Sequence, residues 1–337
     1  MKTLIEKPLE QTIGNWWNAI EREYRIAFLF VIAINLLAFG FEMSNLTLHH
    51  DDVAQLFIQD TILGHYVGRF GLGWLNYYGQ NAYFMPFLQM LVGIVIMSIY
   101  GVLVARFWGA RKILDITIVA AILCVFPYMA QIYQYNTSMA TYPLAHLLAA
   151  SAVIFSTRGT FIHVSLAALL YLAAFSIYQS VIANAATIFV IWILVNQMFT
   201  GEGQVIYLRK MLKPAIGAFI SVVVGGMLYM FVVSYMDLNL DSSQQAVDKA
   251  FSLSEGINPT YALSEIMHGT RGFFLWPENY FPDYLKKLQL VFIAGAGIFC
   301  LVLPKRLGGK IAAILLLVAA SFTPRILQLV HPEGMYH

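Results

Sequence analysis

Two short clusters in this chain carry residues able to do chemistry. His49-His50-Asp51-Asp52 follows the first long apolar run, and Gly68-Arg69-Phe70-Gly71 lies further along the same polar stretch. A carboxylate can accept the proton of a hydroxyl as that hydroxyl becomes a nucleophile. A guanidinium presents a planar fork of donors that fits a phosphate and steadies the charge left on it when a bond breaks. Asp51 or Asp52 as base, with Arg69 on a phosphate, therefore describes group transfer from a phosphate leaving group to a hydroxyl. Each cluster also has a plainer role. An aspartate ahead of an amphipathic run is often an N-cap, worth about 1 kcal/mol, and an interfacial arginine often snorkels to headgroups. A cap needs one carboxylate, however, and here are two, flanked by His49 and His50 as candidate substrate contacts. Arg69 is the single Lys or Arg between positions 42 and 83, which favours a specific anion.

These residues must be held by elements that the composition narrows sharply. Hydrophobic residues make up 59% of the 337 and charged residues 11%, with a mean hydropathy of +0.69. Such a chain is an integral membrane protein rather than a soluble domain. A net charge of +2 argues against a nucleic-acid partner. Cys124 and Cys300 both fall in apolar runs and read as small buried hydrophobes, not as a disulfide or a thiolate metal site. His146 and His163, near span ends, read as packed or interfacial side chains. No His or Cys pair has a metal-site spacing, so no metal ligands and no cofactor are expected, although an acidic pair could take a hard divalent cation.

A membrane crossing needs about 20 apolar residues. Runs that approach this length predict nine transmembrane helices, near 24–41, 84–106, 113–129, 143–155, 161–178, 181–198, 215–236, 288–303 and 311–327. The run 161–199 is nearly two spans long and has no Gly or Pro to mark a turn. Charge decides it: Arg158 and Arg209 fall on one side only if the run crosses twice, turning near Gln179-Ser180. With every Lys/Arg cluster inside, the amino end is cytoplasmic and the carboxyl end outside. Residues 1–23 form a separate cytoplasmic interfacial helix, because Ile13, Trp16, Trp17 and Ile20 recur at helical spacing beside Arg22. They lack the early apolar core of a signal peptide. Residues 24–337 then make one transmembrane domain with outer loops 42–83, 130–142 and 237–287.

The first outer loop predicts an amphipathic helix over 52–66, with the acidic pair at its start. A straight helix would put Arg69 about 26 Å from that pair at about 1.5 Å per residue, so the chain must fold back, at Gly64, Gly68, Gly71 or Gly73. In the second loop, Tyr133, Tyr135 and Asn136 suit sugar hydroxyls and faces, and equally an aromatic belt. In the third, His268, Arg271, Trp276 and Glu278 combine a cation, a carboxylate and exposed rings, as carbohydrate-binding surfaces do, or as a lid on the bilayer does. Arg325, past Pro324 at the end of the last span, either snorkels or meets an anion. Arg271 and Arg325 are candidate phosphate ligands beside Arg69.

The first span, the acidic pair and Gly68-Arg69 resemble the bacterial glucosyltransferase II group, the serotype-converting enzymes that glucosylate O-antigen. The resemblance is densest over residues 24–110. It implies an all-α, GT-C-like polytopic fold in the bacterial inner membrane, with its active site facing the periplasm. It also implies transfer of glucose, with inversion, from undecaprenyl phosphate glucose to a lipid-linked polysaccharide, with Asp51 or Asp52 as base and Arg69 on the donor phosphate. Members usually continue for more spans, so part of the acceptor site is expected outside these residues or from another subunit. The competing class is a transporter or flippase for lipid-linked substrates. That class should place ionisable residues mid-span near broken helices, whereas these spans are nearly charge-free and show no internal repeat.

Overall fold

The computed structural model describes residues 14–15, 17–45, 48, 52, 68–80, 85–199, 204–236, 264, 267, 283–304 and 307–323. Among the described residues every regular element is helical, as expected from the sequence. The helices are α1 (Arg22–Ser44), α2 (Phe70–Gln80), α3 (Pro86–Phe107), α4 (Ile113–Cys124), α5 (Pro127–Ile132) and α6 (Thr141–Ser156). They continue as α7 (Phe161–Ile177), α8 (Val181–Phe199), α9 (Gln204–Tyr235), α10 (Asp283–Val302) and α11 (Leu307–Phe322).

Among the described residues, each of the nine expected apolar runs lies mainly on helix. Four are long and apolar enough to cross a bilayer, within α1, α3, α8 and α9; those in α4, α6, α7, α10 and α11 are shorter. Length and composition therefore support a membrane protein, with four candidate spans among the described residues rather than nine. The expected span 113–129 does not continue unbroken. It stops at Cys124 and restarts as α5 at Pro127, because a proline has no N–H to donate and pushes the residue before it away from helical geometry. The 161–199 run breaks where charge placed the turn, between Ile177 and Val181. Of the interfacial helix expected over 1–23, residues 1–13 and Trp16 lie outside the described residues. At 17–19 the chain is helical, and Arg25 lies 5.9 Å over the Trp17 ring.

The chain divides into two compact units, Met1–Gln59 with Tyr83–Leu147, and Asp60–Ala82 with Leu148–His337. In the first unit α1, α3 and α4 pack on one another. Tyr24 and Ala27 of α1 are buried with Ala105 and Ile116. Small residues bring the backbones close, which is how helices gain contact in a membrane without a hydrophobic driving force. At Gly101 an added Cβ would lie 2.7 Å from Cys124 Sγ and 2.9 Å from the Ala120 carbonyl. The buried Asn35 donates to the Val31 carbonyl and to Ser98 Oγ, at 3.0 and 3.3 Å, tying α1 to α3 through a polar link.

One end of this unit collects its cations. Tyr24 Oη donates to the Ala110 carbonyl and accepts from Arg111, both at 3.0 Å. Arg106 meets Glu21 at 3.2 Å with both side chains half exposed, a contact worth about 1 kcal/mol at most. From Tyr24, α1 climbs about 22 Å at 1.5 Å per residue to Phe39, whose ring meets Tyr133 edge-on at 4.8 Å. The 130–142 segment thus caps the end away from Arg106 and Arg111.

In the second unit α7 packs on α9 and α2, α8 on α11, and α10 on α11. Helices α7 and α9 run parallel. Gly217 of α9 lies against Ser156 and Val164, Gly225 against Ala168 and Tyr171, and Tyr229 against Phe175. Arg158, Arg209 and Lys213 belong to the starting end of this pair, while the α7–α8 turn and Tyr229 belong to the other.

Candidate functional site

Asp52 is fully buried, and its Oδ2 accepts a hydrogen bond from Asn136 Nδ2 at 2.7 Å. Asn136 is itself buried. A carboxylate removed from water is costly unless donors satisfy it, and a bond of this length to an ionised oxygen is of the stronger, charge-assisted class. Its partner stands 84 positions along the chain, so the carboxylate does more than cap a local turn. The donor comes from the second outer loop, among residues expected to meet sugar hydroxyls. Asn136 is therefore placed to fix the direction of the candidate base, a role its type and position did not reveal.

The same loop is built as a packed plug. Tyr133 is buried against Phe39, and its hydroxyl meets no hydrogen-bond partner among the described residues. Burial pushes its phenol well above the usual tyrosine range. An added Cβ at Gly93 of α3 would strike the Met139 carbonyl and press on the Tyr133 ring, so the bare glycine lets the loop seat on α3. Tyr135, half buried, meets Tyr142 edge-on at 6.4 Å.

Arg69 belongs to the second unit, where a chain of directed bonds holds it. Its Nε donates to Gln179 Oε1 at 3.4 Å, Gln179 Nε2 donates to Tyr229 Oη at 2.8 Å, and Tyr229 Oη donates to the Gly68 carbonyl at 3.1 Å. The guanidinium carbon also stands 5.3 Å over the Tyr178 ring, a cation–π distance. The amide and hydroxyl orientations in this relay agree with one another. The loop closes through Gly68, at φ +70°, where an added Cβ would lie 2.6 Å from Tyr229 Oη. Of the glycines expected to fold the chain back, Gly64 lies outside the described residues, and Gly68 is the one of the other three with a left-handed φ. Gly71 instead lies within α2 and packs on Ser176.

Gln179 and Tyr229 were invisible to sequence reading as parts of the Arg69 site. Gln179 stood out only as a turn between spans, and Tyr229 only as one apolar-run tyrosine among many. Asp51, His49, His50, Arg271, Arg325, His268, Trp276 and Glu278 lie outside the described residues, as does the 53–66 part of the expected amphipathic helix. Among the described residues no group of three or more His, Cys, Asp or Glu is placed to hold a metal ion.

The first unit thus holds a buried, oriented carboxylate and the second an anchored guanidinium. Each stands at the end of its unit away from that unit's described cationic cluster. Comparison with curated proteins and with solved structures gave no match. The family model described as glucosyl transferase GtrII matches residues 40–337, nearly the whole chain, with Asp52, Arg69, Asn136, Gln179 and Tyr229 inside the match, and the chain belongs to that family.

Proposed function

We propose that this protein moves a glucosyl residue from a polyprenyl-phosphate donor, undecaprenyl phosphate glucose, to a hydroxyl of O-antigen or a related lipid-linked polysaccharide. The reaction runs on the periplasmic face of the bacterial inner membrane. The observation that carries this reading is the buried Asp52 carboxylate held by Asn136 at 2.7 Å, within a chain of the glucosyl transferase GtrII family.

In the proposed step the acceptor oxygen attacks the anomeric carbon from the face opposite the phosphate. The new C–O bond forms as the bond from anomeric carbon to phosphate oxygen breaks, and its electron pair leaves with the polyprenyl phosphate. Asp52, or Asp51 beside it, takes the acceptor proton. One displacement inverts the anomeric centre. The leaving phosphate gains negative charge as the bond breaks, so a fixed cation there acts on the transition state more than on the ground state. Arg69, its plane set by Gln179 and Tyr178, supplies that cation. The donor lipid stays in the bilayer while its headgroup meets the outer loops.

The orientation is supported by charge: the basic residues that favour the cytoplasm gather at the opposite end of each unit from Asp52 and from Arg69. The transport reading has less behind it, because the described spans place Asn35, Ser98 and Gln197 rather than charged groups in their interiors. The test is a product assay with the purified protein in liposomes, labelled undecaprenyl phosphate glucose and a polysaccharide acceptor. Glucosylated acceptor of inverted configuration is expected. Passage of label across the bilayer with no glycosidic product would overturn the proposal in favour of transport.

A further inference from the structure

The second unit carries a feature that the transfer chemistry does not use. Between α7 and α9, at their starting ends, lies a groove of about 530 Å³. Its length is apolar, walled by Phe161, Val164 and Ala168 from α7 and by Ile216, Ile220 and Val224 from α9, while Arg209 and Lys213 stand at one end. Phe161, Ile216 and Ile220 are among the exposed large hydrophobic residues, so the groove opens to the surroundings of the helices. Lys213 is not a loose surface chain. Its stem crosses Gly159, where an added Cβ would lie 2.8 Å from Lys213 Cγ and 2.9 Å from Cε, and Gly159 adopts φ +62°. A bare left-handed glycine therefore leaves the space over which the lysine stem lies. Arg158, next to it, is occupied with His163 at 3.0 Å and is not counted among the groove's cations.

An apolar channel along two membrane helices with two cations at one end matches one chemistry: an acyl chain ending in an anionic headgroup. We propose that this groove seats one anionic diacyl phospholipid of the phosphatidylglycerol type, with its phosphate between Arg209 and Lys213 and one acyl chain along Ile216 to Val224. The site is separate from the proposed donor site. Lys213 and Tyr229 both stand on α9, about 24 Å apart at 1.5 Å per residue, and Tyr229 marks the Arg69 end. The bound lipid clamps α7 to the first half of α9, where Pro214 lies inside the helix and carries no N–H to donate.

The experiment is native mass spectrometry of the purified full chain, with lipid retention and thermal stability measured in detergent after adding phosphatidylglycerol, phosphatidylcholine, undecaprenyl phosphate or inorganic phosphate. A basic residue at the membrane surface is worth about fivefold in affinity for an anionic lipid, so two give roughly thirtyfold preference for phosphatidylglycerol over phosphatidylcholine. Inorganic phosphate should give no stabilisation, because it lacks the chain. Arg209→Gln with Lys213→Gln should remove the preference, and Ile216→Trp, which fills the groove and keeps both charges, should weaken retention by itself. Equal retention of both phospholipids, tighter retention of undecaprenyl phosphate than of phosphatidylglycerol, or an Ile216→Trp variant that binds as well as the parent would each overturn the proposal. Stabilisation by inorganic phosphate alone would do the same. The Ile216→Trp arm holds even if the double charge variant fails to fold, and none of these readouts depends on glucosyl transfer.

Discussion

Replacing Asn136 by alanine removes the donor that stands 2.7 Å from Asp52 Oδ2 and puts nothing in its place. Both residues are buried, so water does not readily substitute. Hydrogen bonds to charged groups contribute about 1.5–3 kcal/mol, and a stability loss of about 2 kcal/mol is expected from that bond alone. Activity should suffer in a different way. A carboxylate that has lost this donor is less firmly aligned with the acceptor hydroxyl, and a misplacement of about 1 Å costs on the order of 100-fold in rate. Transfer by Asn136→Ala should therefore fall by between about tenfold and 100-fold, mostly in kcat. The decisive assay is a double-mutant cycle of glucosyl transfer with Asp52→Asn. If Asn136 acts through the carboxylate, the loss from Asn136→Ala should nearly vanish once the carboxylate is gone, because residues working as a unit are not additive. Asn136→Asp, which sets a second carboxylate against the first, should be worse than Asn136→Ala. Additive losses in the cycle, or an Asn136→Ala enzyme of near-normal rate, would refute the positioning argument and return Asn136 to a direct role with the sugar.

Three further outcomes follow from the same geometry. Gly68→Ala places a Cβ 2.6 Å from Tyr229 Oη at a φ of +70°, which should cost about 1–2 kcal/mol in backbone strain and raise the donor KM as Arg69 shifts; an unchanged KM would detach that relay from donor binding. Arg69→Lys keeps the charge but loses the fork and the contact with the Tyr178 ring, so donor affinity should drop about tenfold or more, and titration of the donor checks it. In intact inner membranes, cysteine at Gln134 should react with an impermeant thiol reagent from outside and cysteine at Gln204 should not; the native Cys124 and Cys300 are buried. Labelling of the Gln204→Cys protein from outside would reverse the orientation.

Much of the fold was legible because membrane physics reads out in sequence. The division of 161–199 into two helices was legible from Arg158 and Arg209, which the charge argument put at the same end, and the break falls at Gln179 where that argument set the turn. What stayed hidden were features of pairing and of length. Nothing in the sequence says that Gln179 reaches back 110 positions to Arg69, or that Asn136 reaches back 84 positions to Asp52, because such bonds depend on how helices pack. The break at Pro127 was visible as a proline, yet hydropathy averaged over it and joined two helices into one span. Five apolar helices are shorter than a bilayer-spanning window, which hydropathy alone could not separate from full crossings. The acidic pair stood out because charge is rare in this chain; Asn136 stood out only as a sugar contact, and Gln179 and Tyr229 did not stand out as partners of Arg69, because Asn, Gln and Tyr are ordinary near membrane interfaces.

The central claim is that a carboxylate of the first outer loop is the base of the transfer. Its most direct test is single-turnover glucosyl transfer from undecaprenyl phosphate glucose by purified Asp52→Asn and Asp51→Asn proteins, with melting temperature recorded on the same samples. The amide keeps the shape and an oxygen able to accept from Asn136, but it cannot take a proton. At least one variant, Asp52→Asn on the present geometry, should lose on the order of 100-fold or more in rate while melting close to the parent. Near-normal transfer by both variants, or a rate loss matched by an equal collapse in stability, would contradict the account.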